Sequence, residues 1–387
     1  MWQFSRPIEA APRNLRARSV ARERWLPVLI SLLALLSVAA GPPVQRDGVR
    51  SPLRLYPHQV ASQRQADQWP AVQAQSVLVA DLDTNRVLMT KQADASRPMA
   101  STTTIMTALL TLERGELERV VTAPAAAQAV GGSSMYLQAG ESLTVEDLLY
   151  GLLMVSANDA AVTLAVDVAG SEEAFVEMMN RRALELGMTQ THFMNVHGLD
   201  EEGHYASARD LYQLTVSALR YPVFAQIVAT LHYSAGGHAL TNINEMLTLD
   251  AQADGVKTGT TDQAGECLIA SVQQSGHRTI IVILGSTQRY ADASDLLAHY
   301  RSFYGWVALS APDNALNRAR DRAGEWRFLT TGPAAAVFMP VWQRPWVQPL
   351  RERLPDDNDQ PGAPAGEVHF LQGEQELGTQ PLLWGAY

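Results

Sequence analysis

The chain is poor in the two side chains that most often carry nucleophilic or basic nitrogen and sulfur chemistry. Its 387 residues hold one cysteine, Cys267, and two lysines, Lys91 and Lys257. A single thiol excludes an internal disulfide, so a packed core must supply the stability. Cys267 falls in the apolar run Cys267-Leu268-Ile269-Ala270 and reads as a small core residue rather than a reactive thiol. Almost all basic charge is arginine, which stays protonated at ordinary pH, so each surviving lysine is of chemical interest. The net charge is −10, from 30 basic and 40 acidic residues. A chain so acidic is a poor polyanion binder, and nucleic acid is not an expected partner. With 18% charged and 47% hydrophobic residues, it is not disordered as a whole.

Long apolar runs are also missing. The longest stretch, Leu26 to Val38, is shorter than the about 20 residues of a membrane-spanning helix. It follows Arg6, Arg13, Arg16, Arg18, Arg22 and Arg24 and ends in Val38-Ala39-Ala40-Gly41. A basic start, a short apolar run and small residues describe a secretory signal peptide. Residues 1–40 are therefore expected to be a signal peptide or an N-terminal anchor. The expected location is the periplasm or the outer face of the cytoplasmic membrane, with membrane contact through the N-terminus.

Residues 41–70, rich in Pro, Gln, Arg and Ser, read as a linker. Ser76-Val77-Leu78-Val79-Ala80 and Arg86-Val87-Leu88-Met89 flank the polar turn Asp83-Thr84-Asn85 and predict a β-hairpin. Ile105, Met106, Leu109 and Leu112 recur at helical spacing in Ser101 to Arg114, before Gly115. Thr144 and Ser171 are expected N-caps, and residues 144–220 read as mainly helical. Gly265–Ala270 and Thr279–Leu284 are strand-like, and Asp292–Tyr300 predicts a last helix. Residues 71–306 are expected to form one domain and 307–387 a small β-rich one. Lys91 reads as a solvated surface residue. His192, His197 and His204 fit no zinc spacing and read as structural. Asp83 and Asp200 read as turn residues.

Three short segments carry chemistry: Ala100-Ser101-Thr102-Thr103-Thr104, Ser156-Ala157-Asn158 and Lys257-Thr258-Gly259. Each alone is weak, but their order and surroundings are specific. With Arg97-Pro98-Met99, Gly132-Ser133-Ser134-Met135, Asn195-Val196-His197-Gly198-Leu199 and Asp254-Gly255-Val256, the chain resembles the penicillin-binding serine peptidases, specifically the low-molecular-mass D-alanyl-D-alanine carboxypeptidases. The resemblance runs from about Ala74 to Gly305. It implies the α/β penicillin-binding/β-lactamase-like fold, an antiparallel sheet plus an all-helical lobe with a small C-terminal β-rich domain. It also implies a hydrolase that trims peptidoglycan stem peptides ending in D-Ala-D-Ala through an acyl-enzyme, and that β-lactams also attack.

By the same resemblance Ser101 is the nucleophile, Ser156 relays a proton to the leaving amine, and Lys257 acts electrostatically or in proton transfer. Asn158, Thr258, Gly259, Thr260 and Arg289 bind substrate, with the Ser101 and Thr260 N–H groups as the oxyanion hole. No metal or organic cofactor is implied. One position departs. The family's first motif is Ser-x-x-Lys, and here Thr104 stands where the lysine is expected, one helical turn from Ser101. A threonine hydroxyl is too weak a base to take the serine proton, so acylation is expected to be impaired. The alternatives are a non-catalytic relative that binds peptidoglycan or a protein partner, and a D,D-endopeptidase.

Overall fold

The computed structural model describes residues 68–274, 276–311, 317–353 and 358–386. The expected signal or anchor at 1–40, and nearly all of the linker at 41–70, lie outside them. The contacts form one unit over Tyr56–Gly305 and another that includes Trp306–Tyr387.

Within the first unit the expected hairpin forms as β1 (Ser76–Asp81) and β2 (Arg86–Lys91). Its turn is fixed by Asp81, whose Oδ1 accepts from the Thr84 amide at 2.8 Å. Three later strands follow: β3 (Ala253–Thr261), β4 (Gly265–Gln274) and β5 (His277–Ser286). The sheet order is β2-β1-β5-β4-β3, antiparallel at every pairing. Successive strand side chains point to opposite faces, and here both faces are buried. Val77, Val79, Leu268, Ala270, Ile281 and Ile283 pack with Ala293 and Leu296. Leu78, Ala80, Ile269, Ile280, Val282 and Leu284 join the core of the helical lobe instead. Two covered faces explain why these strands read as continuous apolar runs. Cys267 lies in the second core, and burial pushes its thiol up to about 11, as suits an inert core residue.

The longer helices are α1 (Thr104–Arg114), α2 (Val145–Met154), α3 (Asn158–Ala169), α4 (Glu172–Glu185), α5 (Ala208–Ala218) and α6 (Arg289–Phe303). Thr144 and Ser171 cap α2 and α4 as expected, accepting from the amides of Asp147 and Ala174. The expected helical stretch 144–220 is interrupted, because no helix runs between Gly187 and Ser207. There Asn195 competes for the backbone: its Oδ1 accepts from the Gly198 amide at 2.7 Å and its Nδ2 donates to the Leu199 carbonyl at 3.0 Å. Such local side-chain bonds displace helix. Lys91 is not simply solvated either, since its Nζ donates to the Val72 carbonyl at 2.9 Å.

In the second unit β6 (Arg318–Arg320), β7 (Trp326–Thr331), β8 (Gln348–Arg353), β9 (Pro364–Gln372) and β10 (Gln375–Trp384) form a five-stranded sheet. Its order is β6-β7-β10-β9-β8. Val368, Phe370, Leu382 and Trp384 anchor its core.

Helix α6 begins at Arg289, three residues before the expected Asp292, and Asp292 itself fastens the start of the domain. Its carboxylate accepts from the amides of Gln73 and Ala74 at 2.9 and 2.8 Å and from Ser286 Oγ at 2.7 Å. Asp292→Ala strips three donors of one buried acceptor and is expected to cost about 2–4 kcal/mol. Urea unfolding of the variant against wild type measures it, and a change under about 0.5 kcal/mol would contradict this role.

Candidate active site

Ser101 sits in a 3₁₀ turn, Ala100–Thr103, immediately before α1. The sequence pattern put it at the start of an α-helix, and the difference has a local cause. Thr102, Thr103 and Thr104 each donate a hydroxyl proton to the carbonyl three residues back, on Met99, Ala100 and Ser101, at 2.6, 2.8 and 2.8 Å. Three successive bonds of this span favour the tighter 3₁₀ geometry. Ala100 enters the turn at φ +49°, a left-handed conformation that costs a non-glycine residue roughly 1–3 kcal/mol.

The surroundings hold that strain in place. A Cβ on Gly259 would lie 2.8 Å from the Ser101 nitrogen, and one on Gly198 only 2.1 Å from the Ala100 carbonyl oxygen. Both glycines therefore let backbone touch backbone around the serine. Behind the turn, His204 Nδ1 accepts from the Met194 amide at 3.0 Å. That bond leaves the ring proton on Nε2, which donates to Thr103 Oγ1 at 2.8 Å. The chain His204–Thr103–Ala100 thus fixes the residue that precedes the nucleophile position.

Ser156 and Asn158 lie at the entry to α3, with Ser156 at φ +60°. Asn158 Nδ2 donates to the Gly131 carbonyl at 2.7 Å and its amide to the Ser133 carbonyl at 2.8 Å. Asp159 completes the clamp, accepting from Ser134 Oγ at 2.6 Å and the Leu137 amide at 2.9 Å. Gly132 approaches both Asn158 and Leu199. Because Gly198 abuts Ala100, the Asn195–Asp200 loop bridges the serine turn and the α3 entry.

On β3, the Lys257 ammonium is fully buried and donates to the Thr258 carbonyl at 2.8 Å. Desolvation, with a smaller push from Arg289, lowers it to about 7. An electrostatic or proton-transfer role was expected here, and burial lowers the group towards the range in which the second is open to it. Arg289 Nη1 donates to the Gly259 carbonyl at 2.9 Å and to Thr260 Oγ1 at 2.7 Å. Three polar atoms of these expected site residues are buried without a hydrogen-bond partner among the described residues: Ser156 Oγ, Asn158 Oδ1 and Arg289 Nε. Native proteins leave few such atoms.

Comparison with known proteins identifies this arrangement. The family model for D-alanyl-D-alanine carboxypeptidases matches residues 62–288. The chain belongs to that family. It is 34% identical over 284 residues to the D-alanyl-D-alanine carboxypeptidase DacF of Bacillus subtilis, covering 69% of this chain and 73% of that one. To DacD of Escherichia coli it is 35% identical over 336 residues, covering 81% and 86%. Penicillin-binding protein 6B of Escherichia coli has a similar structure, with TM-score 0.65 and 28% identity over 81% of this chain and 96% of that one. The expected penicillin-binding fold, with its antiparallel sheet, helical lobe and β-rich C-terminal domain, is the one observed.

Membership of the family does not by itself explain the histidines. Both His197 and His204 are pushed down to about 4, in each case chiefly by burial. Sequence reasoning assigned them only a structural part, and the link from His204 to the serine turn had no signal in their spacing. Unfolded histidines take their proton near 6.5, so the stability these two contribute is complete above that pH. It is lost as pH falls from 6.5 towards 4, by at most about 2.7 kcal/mol per pH unit for two protons. Urea unfolding at pH 7.5 and 5.0 should show the fall, and His204→Gln should flatten it. Equal stability at both values would rule the assignment out.

Proposed function

We propose that this chain is an exported protein that binds peptidoglycan stem peptides ending in D-Ala-D-Ala, and that its acylation is slow because Thr104 replaces the motif's lysine. In this reading Ser101 Oγ attacks the carbonyl of the penultimate D-alanine. The Oγ–C bond forms, the C–N bond to the terminal D-alanine breaks, and the serine proton must reach the leaving amine. Ser156 is the relay for that proton. Asn158 and Thr258 hold the peptide, Thr260 with Gly259 lines the strand edge, and Arg289 faces the terminal carboxylate. Water then cleaves the acyl-enzyme.

The observation that carries the reading is the contrast between the two halves of the site. Its binding half keeps Asn158 Oδ1 and Arg289 Nε, and the relay Ser156 keeps its Oγ, buried without a hydrogen-bond partner among the described residues, and unpaired buried atoms are expensive unless a ligand meets them. Its proton-accepting half has a buried hydroxyl, whose own hydrogen is committed to the Ser101 carbonyl. Losing a positioned base costs about 10²–10⁴ in rate. Lys257, about 7 in its buried place and on the strand whose Gly259 abuts the Ser101 turn, is the candidate to accept the serine proton in the reaction that remains.

A fluorescent penicillin reports the chemistry directly. Wild type is expected to label at Ser101 about 10²–10⁴-fold more slowly than Thr104→Lys. Equal rates for the two would overturn the impairment. Absence of labelling in both, with wild type still sedimenting with purified peptidoglycan, would favour the binding-only relative over the enzyme.

Proton transfer to Lys257 also fixes the sign of the pH dependence. Its amine is neutral only above about 7, so the slow wild-type labelling should rise as pH passes upward through that value. Lys257→Met should abolish the rise. A flat profile from pH 6 to 8.5 in wild type would remove Lys257 from the proton path.

A further inference from the structure

The β-rich unit, which supplies none of the expected active-site residues, carries a polar cavity of its own. It has a volume of about 270 Å³ and is lined by Arg320, Arg351, Arg353, Trp326 and Asn317, among others. Its arginines come from two strands more than thirty residues apart. Arg318 and Arg320 alternate with buried Ala319 on β6, and Arg351 and Arg353 alternate with Glu352 on β8. The period of two puts each pair on one face of its strand.

Four guanidiniums so gathered need counter-charge, and three of them have little. Arg320 donates to the Gly324 carbonyl, Arg351 to Asn317 Oδ1 and Arg353 to the Arg320 carbonyl, at 3.0, 2.7 and 2.7 Å. All three partners are neutral oxygens, and none of the three arginines pairs with a carboxylate among the described residues. The nearest acid in the lining, Glu352, turns to His369, whose Nε2 lies 3.3 Å from it. Arg351 is half-buried, and desolvation alone lowers its guanidinium below the usual range. A cation taken out of water without an anion is costly, and an entering oxyanion would offset that cost.

The rim adds a second kind of contact. Cross-strand pairing sets Arg318 opposite Phe328 and Arg320 opposite Trp326, with the guanidinium carbons 5.8 and 5.0 Å from the ring centroids. Both rings are 61% exposed despite the arginines over them, and of the two Trp326 lines the cavity. A binding site of this kind takes an anion in its depth and a larger group across its mouth.

We propose that the cavity is a binding site for a phosphomonoester group, held between Arg351 and Arg353, with Trp326 covering the group that carries it. The charge decides between oxyanions. A carboxylate offers one negative charge and two oxygens, whereas a phosphomonoester offers nearly two charges and three oxygens. Three arginines whose hydrogen bonds among the described residues go to neutral oxygens, two of them also lying over aromatic rings, match the second. Guanidinium forks also bind phosphate oxygens two at a time, which a lysine could not.

The test uses the whole chain and sodium phosphate, with calorimetric titration at 0.15 M salt and neutral pH. Phosphate is expected to bind in the millimolar range or tighter, and acetate at least about ten-fold more weakly. Exposed Arg353→Gln, which does not threaten the fold, and Arg351→Gln should each weaken phosphate binding by about ten-fold. Vesicles containing phosphatidic acid, compared with phosphatidylcholine alone, distinguish the source. Arginine-dependent sedimentation with the former assigns the phosphate to a lipid, and phosphate binding without it assigns a soluble ligand. No heat with phosphate up to 50 mM, acetate binding as well as phosphate, or unchanged binding in both variants would overturn the proposal.

Discussion

The contact on which the site depends is between two stretches of backbone. Strand β3 can run against the Ser101 turn because Gly259 has no side chain to separate them. On the other side Gly198 presses on the Ala100 carbonyl. Between these walls Ala100 is held at positive φ, a state the isolated segment would not keep. The surrounding sheet and helices, each with a fully buried face, supply the free energy that holds it there. Strain is thus concentrated at one residue and sustained by many ordinary apolar contacts.

Within that frame, position 104 is where stability and chemistry separate. Thr104 is fully buried, and its hydroxyl is satisfied by the serine's own carbonyl. It makes the same bond as Thr102 and Thr103 make in their turns, so the backbone sees a regular repeat. An ammonium at this depth would have to be desolvated, as that of Lys257 is. The threonine therefore suits the fold at least as well as a lysine would. In the proposed reading what it removes is a base beside Ser101, and the packing around the buried, hydrogen-bonded hydroxyl is satisfied without one. On that proposal, one substitution leaves the site complete in shape while taking away one proton acceptor.

Much of this was legible in the residues. The polar turn at Asp83 between two apolar runs gave the hairpin, and Thr144 and Ser171 marked their helices as caps. The ordered segments at Ser101, Ser156 and Lys257, with the matches around them, carried the resemblance that implied the family and its fold. The illegible parts share a cause. Whether Ser101 opens an α-helix or a 3₁₀ turn depends on where three hydroxyl protons go. Whether Lys257 is a fixed charge or a titrating group depends on burial, which a motif does not encode. The break at Gly187–Ser207 depends on side chains that bond this segment's backbone, Asn195, Asn180 and Asp210 among them. Each is a contest between near-equal local terms, settled by tertiary surroundings.

The arginines show the limit of reasoning from composition. A net charge of −10 describes the field far from the molecule and argues against a long polyanion as a guest. That field is screened over about 8 Å at physiological salt. Inside a cavity the relevant charges are those at contact, and strand pairing decides which they are. Alternation on β6 and β8 brings arginines together from Arg318–Arg320 and Arg351–Arg353, which composition counts only as four of thirty basic residues. An acidic protein can hold a strongly cationic pocket because the two statements concern different distances.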